Sequence, residues 1–154
     1  MNNTFIYLIG ETPARRRAVA EAIAAATGAR IVDSEAIYAP IFNVVDSSHP
    51  MDLPDTVWAG VDAVRNAVLA TIETAAPKNW SFVFTHAGYD IPADLGVYKT
   101  VRETAQRRGA RFVPATLMSA PSKRALLKFD ESDVLVLGEA DTGRAAARVV
   151  AAAG

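Results

Sequence analysis

The chain has 154 residues, of which 51% are hydrophobic, 16 are Lys or Arg and 17 are Asp or Glu, so we expect one domain over residues 1–154 with its own core. The absence of cysteine excludes disulfide frameworks, thiolate metal sites and cysteine nucleophiles, and the two histidines are too few for a histidine-built zinc site. A net charge of −1 gives no whole-protein reason to expect nucleic acid or a membrane as a partner.

Short apolar runs alternate with helical patterns along the whole chain. In chain order the predicted elements are a strand at residues 4–9, a helix at 14–27, a strand at 29–33, a helix from 34, a helix from 55 or 56 to 77, a strand at 81–85, a helix from 91 to about 108, strands at 111–118 and 133–137, and a helix at 142–153. The segment 46–54 is rich in turn residues and is expected to be a loop.

Capping residues and glycines mark the predicted ends of the helices. Gly28 and Gly109 follow the last periodic residues of two helices and are expected to end them in the left-handed conformation. Ser34 and Thr142 have hydroxyl groups that can cap the helices they begin. Pro114 lies inside the fourth predicted strand and favours an edge position or a bulge, because proline has no N–H to donate.

Apolar strands that alternate with helices are typical of a parallel sheet covered on both faces. We therefore expect an α/β fold, a three-layer sandwich around a five-stranded parallel sheet. Ligands in such folds bind outside the carboxyl ends of the strands. That rule selects residues 10–17, 33–35, 85–89 and 119–124 as the candidate ligand-binding segments.

The near-zero net charge conceals a segregation of charge along the chain. Residues 31–64 contain six acidic residues and no Lys or Arg, whereas residues 99–128 contain eight basic residues and one acidic residue. One interpretation is that these charges lie on solvated helix faces, as we expect for Arg102, Arg107 and Arg108. The other is that the domain holds a small anion between basic elements.

The turn after the first strand lies where a phosphate-binding loop would be found. The pattern of that loop is G-x-x-x-x-G-K-[ST], and the eight residues from Gly10 are Gly-Glu-Thr-Pro-Ala-Arg-Arg-Arg. Only Gly10 matches, because Arg15 stands at the second glycine, Arg16 at the lysine and Arg17 at the hydroxyl that holds magnesium. A side chain at position 15 would crowd the backbone cradle, so the loop is predicted to be degenerate.

The three arginines have two interpretations. Their charges oppose the helix dipole unless an anion or an acidic neighbour compensates them. Arg16 is the best candidate for a phosphate contact, because a guanidinium group binds phosphate oxygens bidentately. Alternatively, the arginines point outward and pair with acids such as Glu11 or Glu21.

Four segments together resemble the small-molecule P-loop kinases, in the group that is similar to shikimate and gluconate kinases and includes uncharacterised AAA-type relatives. These segments are residues 6–10, 18–30, 82–85 and 107–117. The resemblance implies a P-loop NTPase-like fold and ATP with magnesium as the cofactor.

The resemblance also implies roles for individual residues. Asp33, at the end of the second strand, would be a catalytic base or a metal ligand, although its residue type is also typical of a helix cap. Arg124 and Lys128 fall where the lid of such kinases begins, which implies contacts to nucleotide phosphates. Only residues 129–132 separate them from the fifth strand, so the usual lid is expected to be missing. His86 ends the third strand in place of a Walker-B carboxylate.

These observations favour a kinase-like protein with a degenerate nucleotide or phosphate site and weak or no phosphotransferase activity. Its candidate binding residues are Gly10, Arg15, Arg16, Arg17, Arg124 and Lys128, and its partner would be a nucleotide or another small phosphorylated ligand. One alternative is an active ATP-dependent small-molecule kinase in which Arg16 replaces the lysine and Asp33 holds magnesium or the acceptor hydroxyl. The other is a non-catalytic interaction module that uses the acidic segment and the loop around Met51. The first residues lack the basic start of a signal peptide, so a cytoplasmic location is the default expectation.

Overall fold

The computed structural model of the protein describes residues 1–118, 124–129, 135–137 and 141–154, and for residues 135–137 it describes the backbone. The elements are β1 (Thr4–Gly10), α1 (Pro13–Thr27), β2 (Arg30–Val32), α2 (Ser34–Phe42), a short 3-10 helix (Pro50–Asp52), α3 (Asp55–Thr74), β3 (Phe82–His86), α4 (Pro92–Arg108), β4 (Arg111–Leu117), β5 (Leu135–Leu137) and α5 (Thr142–Ala153). In this part of the chain no helix has the length and apolarity needed to cross a membrane.

The strands form one parallel sheet in the order β2-β3-β1-β4-β5. β1 lies in the middle, paired on one side with β3 and on the other with β4. The body of the sheet is made of the four strands β1 to β4. Of the fifth predicted strand, residues 133–137, the structure describes only residues 135–137, which pair with the end of β4. The predicted α/β class with a parallel sheet is confirmed.

Helices cover both faces of the sheet, which explains why β1 is apolar throughout. Ile6 and Leu8 of β1 pack in a core cluster with residues of α1 and α5. Phe5, Tyr7 and Ile9 point to the other face and pack with residues of α3 and α4. All seven residues of β1 are buried, so alternate side chains fill two separate cores.

The helix ends predicted from glycines are confirmed, and so are the helix starts at Ser34 and Thr142, but the capping roles predicted for these two residues are wrong. Gly28 and Gly109 end α1 and α4 with φ angles of 73° and 66°. The capping position of α2 is Asp33, not Ser34, which is the first helical residue. Likewise Asp141, not Thr142, caps α5 and accepts a hydrogen bond of 2.9 Å from the backbone N–H of residue 144. In both cases two adjacent residues could cap, and the first of them has the extended backbone that a cap requires.

Pro114 lies in neither an edge strand nor a bulge, so that prediction is wrong. β4 pairs with β1 in an unbroken register in which Pro114 lies beside Tyr7. On its other side the described pairing of β4 with β5 begins at Ala115.

The expectation that Arg108 lies on a solvated face is also wrong. Its side chain is buried, and Nη1 donates a 2.6 Å hydrogen bond to the carbonyl oxygen of Ile72 and a 3.1 Å bond to that of Ala76. The guanidinium group also donates to the carbonyl oxygen of Pro77. Arg108 therefore satisfies carbonyl groups that α3 leaves without partners where it ends. Arg107, by contrast, is half-exposed and pairs with Glu73.

Candidate functional site

The connection between β1 and α1 is short and leads directly into a helix. β1 ends at Gly10 and α1 begins at Pro13, so only residues 11 and 12 lie between them. A phosphate-binding loop directs several backbone N–H groups at one anion. Here Pro13 has no N–H, and the N–H of Arg16 already donates to the carbonyl oxygen of Thr12 at 3.1 Å. Arg16 and its two neighbours therefore lie in the first turns of a helix and not in a loop.

The side chain of Arg16 points into the protein, toward the end of β1. Arg16 is 3% exposed, and its Nη1 donates a hydrogen bond to the carbonyl oxygen of Gly10. Its Nη2 lies 3.5 Å from Oε1 of Glu35, in the first turn of α2. Burial lowers the pKa of Arg16, and the carboxylate of Glu35 opposes that shift. The guanidinium group is thus held by groups of the protein itself at the position where the pattern has its lysine.

Close packing of β4 against β1 requires glycine at position 10. A Cβ atom at this position would lie 2.9 Å from Cβ of Leu117 and 3.2 Å from the carbonyl oxygen of Leu117. β4 therefore approaches β1 so closely at this end that a side chain would force the strands apart. This contact accounts for the one residue that matches the phosphate-loop pattern.

Arg15 and Arg17 diverge from Arg16. Nη1 of Arg15 donates a 2.7 Å hydrogen bond to the carbonyl oxygen of Met118, just after β4. Nε of Arg17 lies 3.0 Å from Oε1 of Glu21, one turn along the exposed face of α1. The expected pairing with Glu21 is therefore present for Arg17, and the three guanidinium groups do not converge.

Asp33 links the ends of two strands to the start of α2. Its Oδ1 accepts a 2.7 Å hydrogen bond from the hydroxyl group of Thr85, and that hydroxyl accepts a 3.2 Å bond from the N–H of Ser34. Its Oδ2 lies 3.9 Å from Nη1 of Arg17. The Asp33 side chain caps no helix N–H group. A catalytic or metal-binding role for Asp33 stays a prediction.

A buried polar cluster lies at the carboxyl end of β3. Of its residues, only His86 was a candidate from the sequence. The hydroxyl of Tyr7 lies 2.8 Å from Nδ1 of His86, and Nε2 of His86 lies 3.7 Å from Oδ1 of Asp94. The carboxylate favours a proton on Nε2, so Nδ1 accepts the hydrogen bond from Tyr7. Burial, with the positive charges of Arg65 and Arg16, lowers the pKa of His86 to about 3, so its ring is neutral at pH 7. Burial raises the pKa of Asp94.

Arg65 is the other buried charge that no motif indicated. Its Nη1 donates a 2.6 Å hydrogen bond to Oδ1 of Asp62, one turn earlier in α3. On one side Arg65 lines a cavity of about 20 Å³ with Ser34 and His86, which is room for about one water molecule. On the other side it lines an open groove of about 320 Å³ between α3 and α4, beside Gly96. The enclosed cavity is therefore too small for a nucleotide or a sugar.

The loop after β3 closes over the end of β1. Gly88 has a φ angle of 69°, and a Cβ atom there would lie 2.6 Å from Cγ2 of Ile9. The segment 124–129 lies on this loop, because the N–H of Leu127 donates to the carbonyl oxygen of Gly88 at 2.8 Å. The guanidinium carbon of Arg124 lies 4.3 Å from the ring centroid of Tyr89, and Lys128 is exposed. Of the predicted ligand-binding segment 119–124 and the short lid segment 129–132, residues 119–123 and 130–132 lie outside the described residues.

Comparison with solved structures finds the same fold in small-molecule kinases. A gluconokinase from Sinorhizobium meliloti 1021 matches with a TM-score of 0.65 and 14% sequence identity, covering 97% of this chain and 91% of that chain. A sugar kinase from Janibacter sp. HTCC2649 matches with a TM-score of 0.61 and 14% identity, covering 97% and 93%. A shikimate kinase from Aquifex aeolicus vf5 matches with a TM-score of 0.54 and 12% identity, covering 97% and 95%. No protein-family model and no curated protein matches the chain in sequence. The resemblance to P-loop small-molecule kinases is confirmed at the level of the fold.

Two of the positions expected to bind magnesium carry residue types that do not fit the metal. Arg17 stands where a hydroxyl would hold the metal, and neutral His86 stands where a carboxylate would end β3. Asp33 remains, but its carboxylate already accepts a hydrogen bond from Thr85. Among the described residues, no group of three or more His, Asp or Glu could hold a metal ion.

Proposed function

We propose that the protein is kinase-like in fold, has a degenerate nucleotide and phosphate site, and has weak or no phosphotransferase activity. The observation that carries this proposal is the position of Arg16. The residue that replaces the lysine is buried, donates to the carbonyl oxygen of Gly10 and pairs with Glu35. While these contacts hold, this positive charge is not available to a transferring phosphoryl group.

The chemistry of phosphoryl transfer explains why these contacts matter. The protein contributes mainly positioning and stabilisation of charge on the phosphate oxygens, through a backbone cradle, a lysine and magnesium. Here the connection from β1 to α1 is two residues long, and Arg17 stands at the position of the hydroxyl that would hold magnesium. Removing one such electrostatic contact typically reduces kcat by a factor of about 10²–10³. Several losses together support weak or no turnover.

A small oxyanion remains the best candidate ligand for this site. Arg15 and Arg16 lie close to the carboxyl ends of β1 and β4, where ligands bind in this class of fold. Arg124 and Lys128 follow β4 and stay candidates for contacts to phosphate. We therefore propose that the protein retains binding of a phosphorylated ligand or nucleotide without efficient transfer.

Turnover with magnesium and ATP tests the proposal directly. Wild-type protein is incubated with a panel of sugars, sugar acids, shikimate and nucleosides, beside Arg16→Ala, which removes the guanidinium group, and Arg107→Ala as a surface control. We expect no turnover above ~10⁻² s⁻¹, compared with roughly 1–100 s⁻¹ for working kinases. Turnover in that working range that is lost in the Arg16 variant alone would contradict the proposal and support the active-kinase alternative.

Retained binding is tested by thermal unfolding with ATP, ADP and inorganic phosphate. A ligand that binds the folded protein stabilises it by RT ln(1 + [L]/Kd), so a site filled at about 100 times Kd contributes ~2.7 kcal/mol. We expect a rise in melting temperature that grows with the logarithm of ligand concentration above Kd and exceeds the effect of sodium chloride at equal ionic strength. The absence of any specific rise at millimolar ligand would contradict retained binding.

A further inference from the structure

The guanidinium group of Arg16 has one edge that the protein fills incompletely. Nε–H and Nη2–H lie on the same edge and together bind two oxygens of one oxyanion. Of these two donors, Nη2 lies 3.5 Å from one oxygen of Glu35, and Nε is buried with no hydrogen-bond partner among the described residues. An unpartnered buried donor destabilises the folded state. Arg16 is therefore suited to bind a second oxygen that Glu35 does not provide.

The ion pair with Arg16 holds the Glu35 side chain only weakly. Its side chain is 56% exposed, in contrast to 4% for Arg16, and the contact between them is a single one. An exposed carboxylate of this kind is well hydrated when it leaves, and its ion pair contributes little. Arg16, however, is a buried charge that requires an anion near it. The pair is therefore asymmetric, because the carboxylate is replaceable and the guanidinium is fixed.

We propose that Glu35 is a built-in competitor for oxyanions at Arg16, and that a phosphate or carboxylate group binds the Nε–Nη2 edge of Arg16 only when the Glu35 side chain moves away. This inference rests on the proposed retention of an oxyanion site. It adds that α2, through Glu35, weakens ligand binding in the wild-type protein. The bound oxyanion pairs with both Nε and Nη2, so the buried Nε gains a partner.

The Glu35→Gln variant tests the competition, with Glu21→Gln as a matched control. Both substitutions remove one negative charge from an exposed side chain, but Glu21 pairs with Arg17 and not with Arg16. The measurement is the dissociation constant of inorganic phosphate, the concentration obtained by fitting the rise in melting temperature to RT ln(1 + [L]/Kd) at constant ionic strength. We expect this concentration to fall about fivefold in Glu35→Gln, the ratio that corresponds to the ~1 kcal/mol upper range of exposed ion pairs, and to stay within about twofold of wild type in Glu21→Gln.

A double variant identifies the partner of the oxyanion. Arg16→Lys keeps the positive charge but lacks the two-donor edge, so Arg16→Lys combined with Glu35→Gln is expected to lose the fivefold gain. The inference is overturned if Glu35→Gln leaves the dissociation constant of phosphate unchanged, if Glu21→Gln lowers it equally, or if the double variant keeps the gain. Because phosphate binding is measured without ATP, a finding of kinase turnover would contradict the proposed function without altering this comparison.

Discussion

Replacing Gly88 by alanine should test how tightly the loop after β3 closes over β1. Gly88 has a positive φ angle of 69°, and a Cβ atom would lie 2.6, 2.7 and 2.9 Å from Cγ2, Cβ and Cδ1 of Ile9. The Ile9 side chain is fully buried between the sheet and the helices of its face, so it has little space into which to move. Either the loop or the end of β1 must shift to admit the methyl group.

The expected loss of stability has two parts that a second glycine separates. A left-handed backbone costs a residue with a Cβ atom about 1 kcal/mol, and overpacking a closed core costs typically ~1–3 kcal/mol. Gly28 has a similar φ angle of 73°, but a Cβ atom there would meet nothing within 4 Å. We therefore expect Gly88→Ala to reduce the free energy of unfolding by about 3 kcal/mol and Gly28→Ala by about 1 kcal/mol.

Urea unfolding followed by circular dichroism measures both variants under the same conditions. If the free energy of unfolding falls with urea at the same slope in both variants, the difference between their unfolding midpoints reports the cost of overpacking alone, because both variants pay the cost of the left-handed backbone. A loss in Gly88→Ala no larger than that in Gly28→Ala would show that Ile9 and the loop accommodate the methyl group, and would refute the close packing described for this end of β1.

Two further predictions concern buried charge. Arg108→Met should lower the free energy of unfolding by about 3 kcal/mol in a urea titration, because the buried carbonyl of Ile72 loses its charged donor. Arg107→Met, at a half-exposed ion pair, should cost less than ~1 kcal/mol, and equal losses would contradict the capping role of Arg108. Stability should also depend on His86 below neutral pH: its folded pKa of about 3 lies below the unfolded value of 6.5, so the unfolded chain binds a proton that the folded protein excludes. Above pH 6.5 the ring is neutral in both states and His86 costs no stability. As the pH falls from 6.5 toward 3, the free energy of unfolding decreases by roughly 1.4 kcal/mol per pH unit. His86→Asn should therefore lose stability less steeply between pH 6 and 4, and equal slopes would contradict the buried neutral ring.

The elements were predictable where a periodic pattern and a conformational requirement coincide. The apolar run of residues 4–9 predicts β1 because a central parallel strand is buried on both faces. Gly28 predicts the end of α1 because its positive φ angle favours glycine. The cap of α2 was misplaced by one residue because Asp33 and Ser34 are both good caps, and only the backbone shows which of them is extended.

The buried cluster at the end of β3 was beyond prediction for a different reason. Tyr7 and His86 are 79 positions apart in the sequence and meet because β1 and β3 are neighbours in the sheet. Arg65 approaches from α3, where its spacing from Val61 and Leu69 places it on the buried face although its charge is typical of a solvent face. No spacing rule relates these three residues, and only the strand order brings them together.

The residue at which α1 begins determines the directions in which the three consecutive arginine side chains point. Successive residues of an α-helix point in directions about 100° apart, because there are 3.6 residues per turn. Arg15 accordingly reaches the carbonyl group of Met118, Arg16 turns inward to Gly10, and Arg17 lies along the helix beside Glu21. A loop of four or five residues would have let several donors face one phosphate, but a helix that begins at Pro13 separates them. The residue types of an anion site are therefore present in the sequence, but the early start of the helix directs the three guanidinium groups to three different partners.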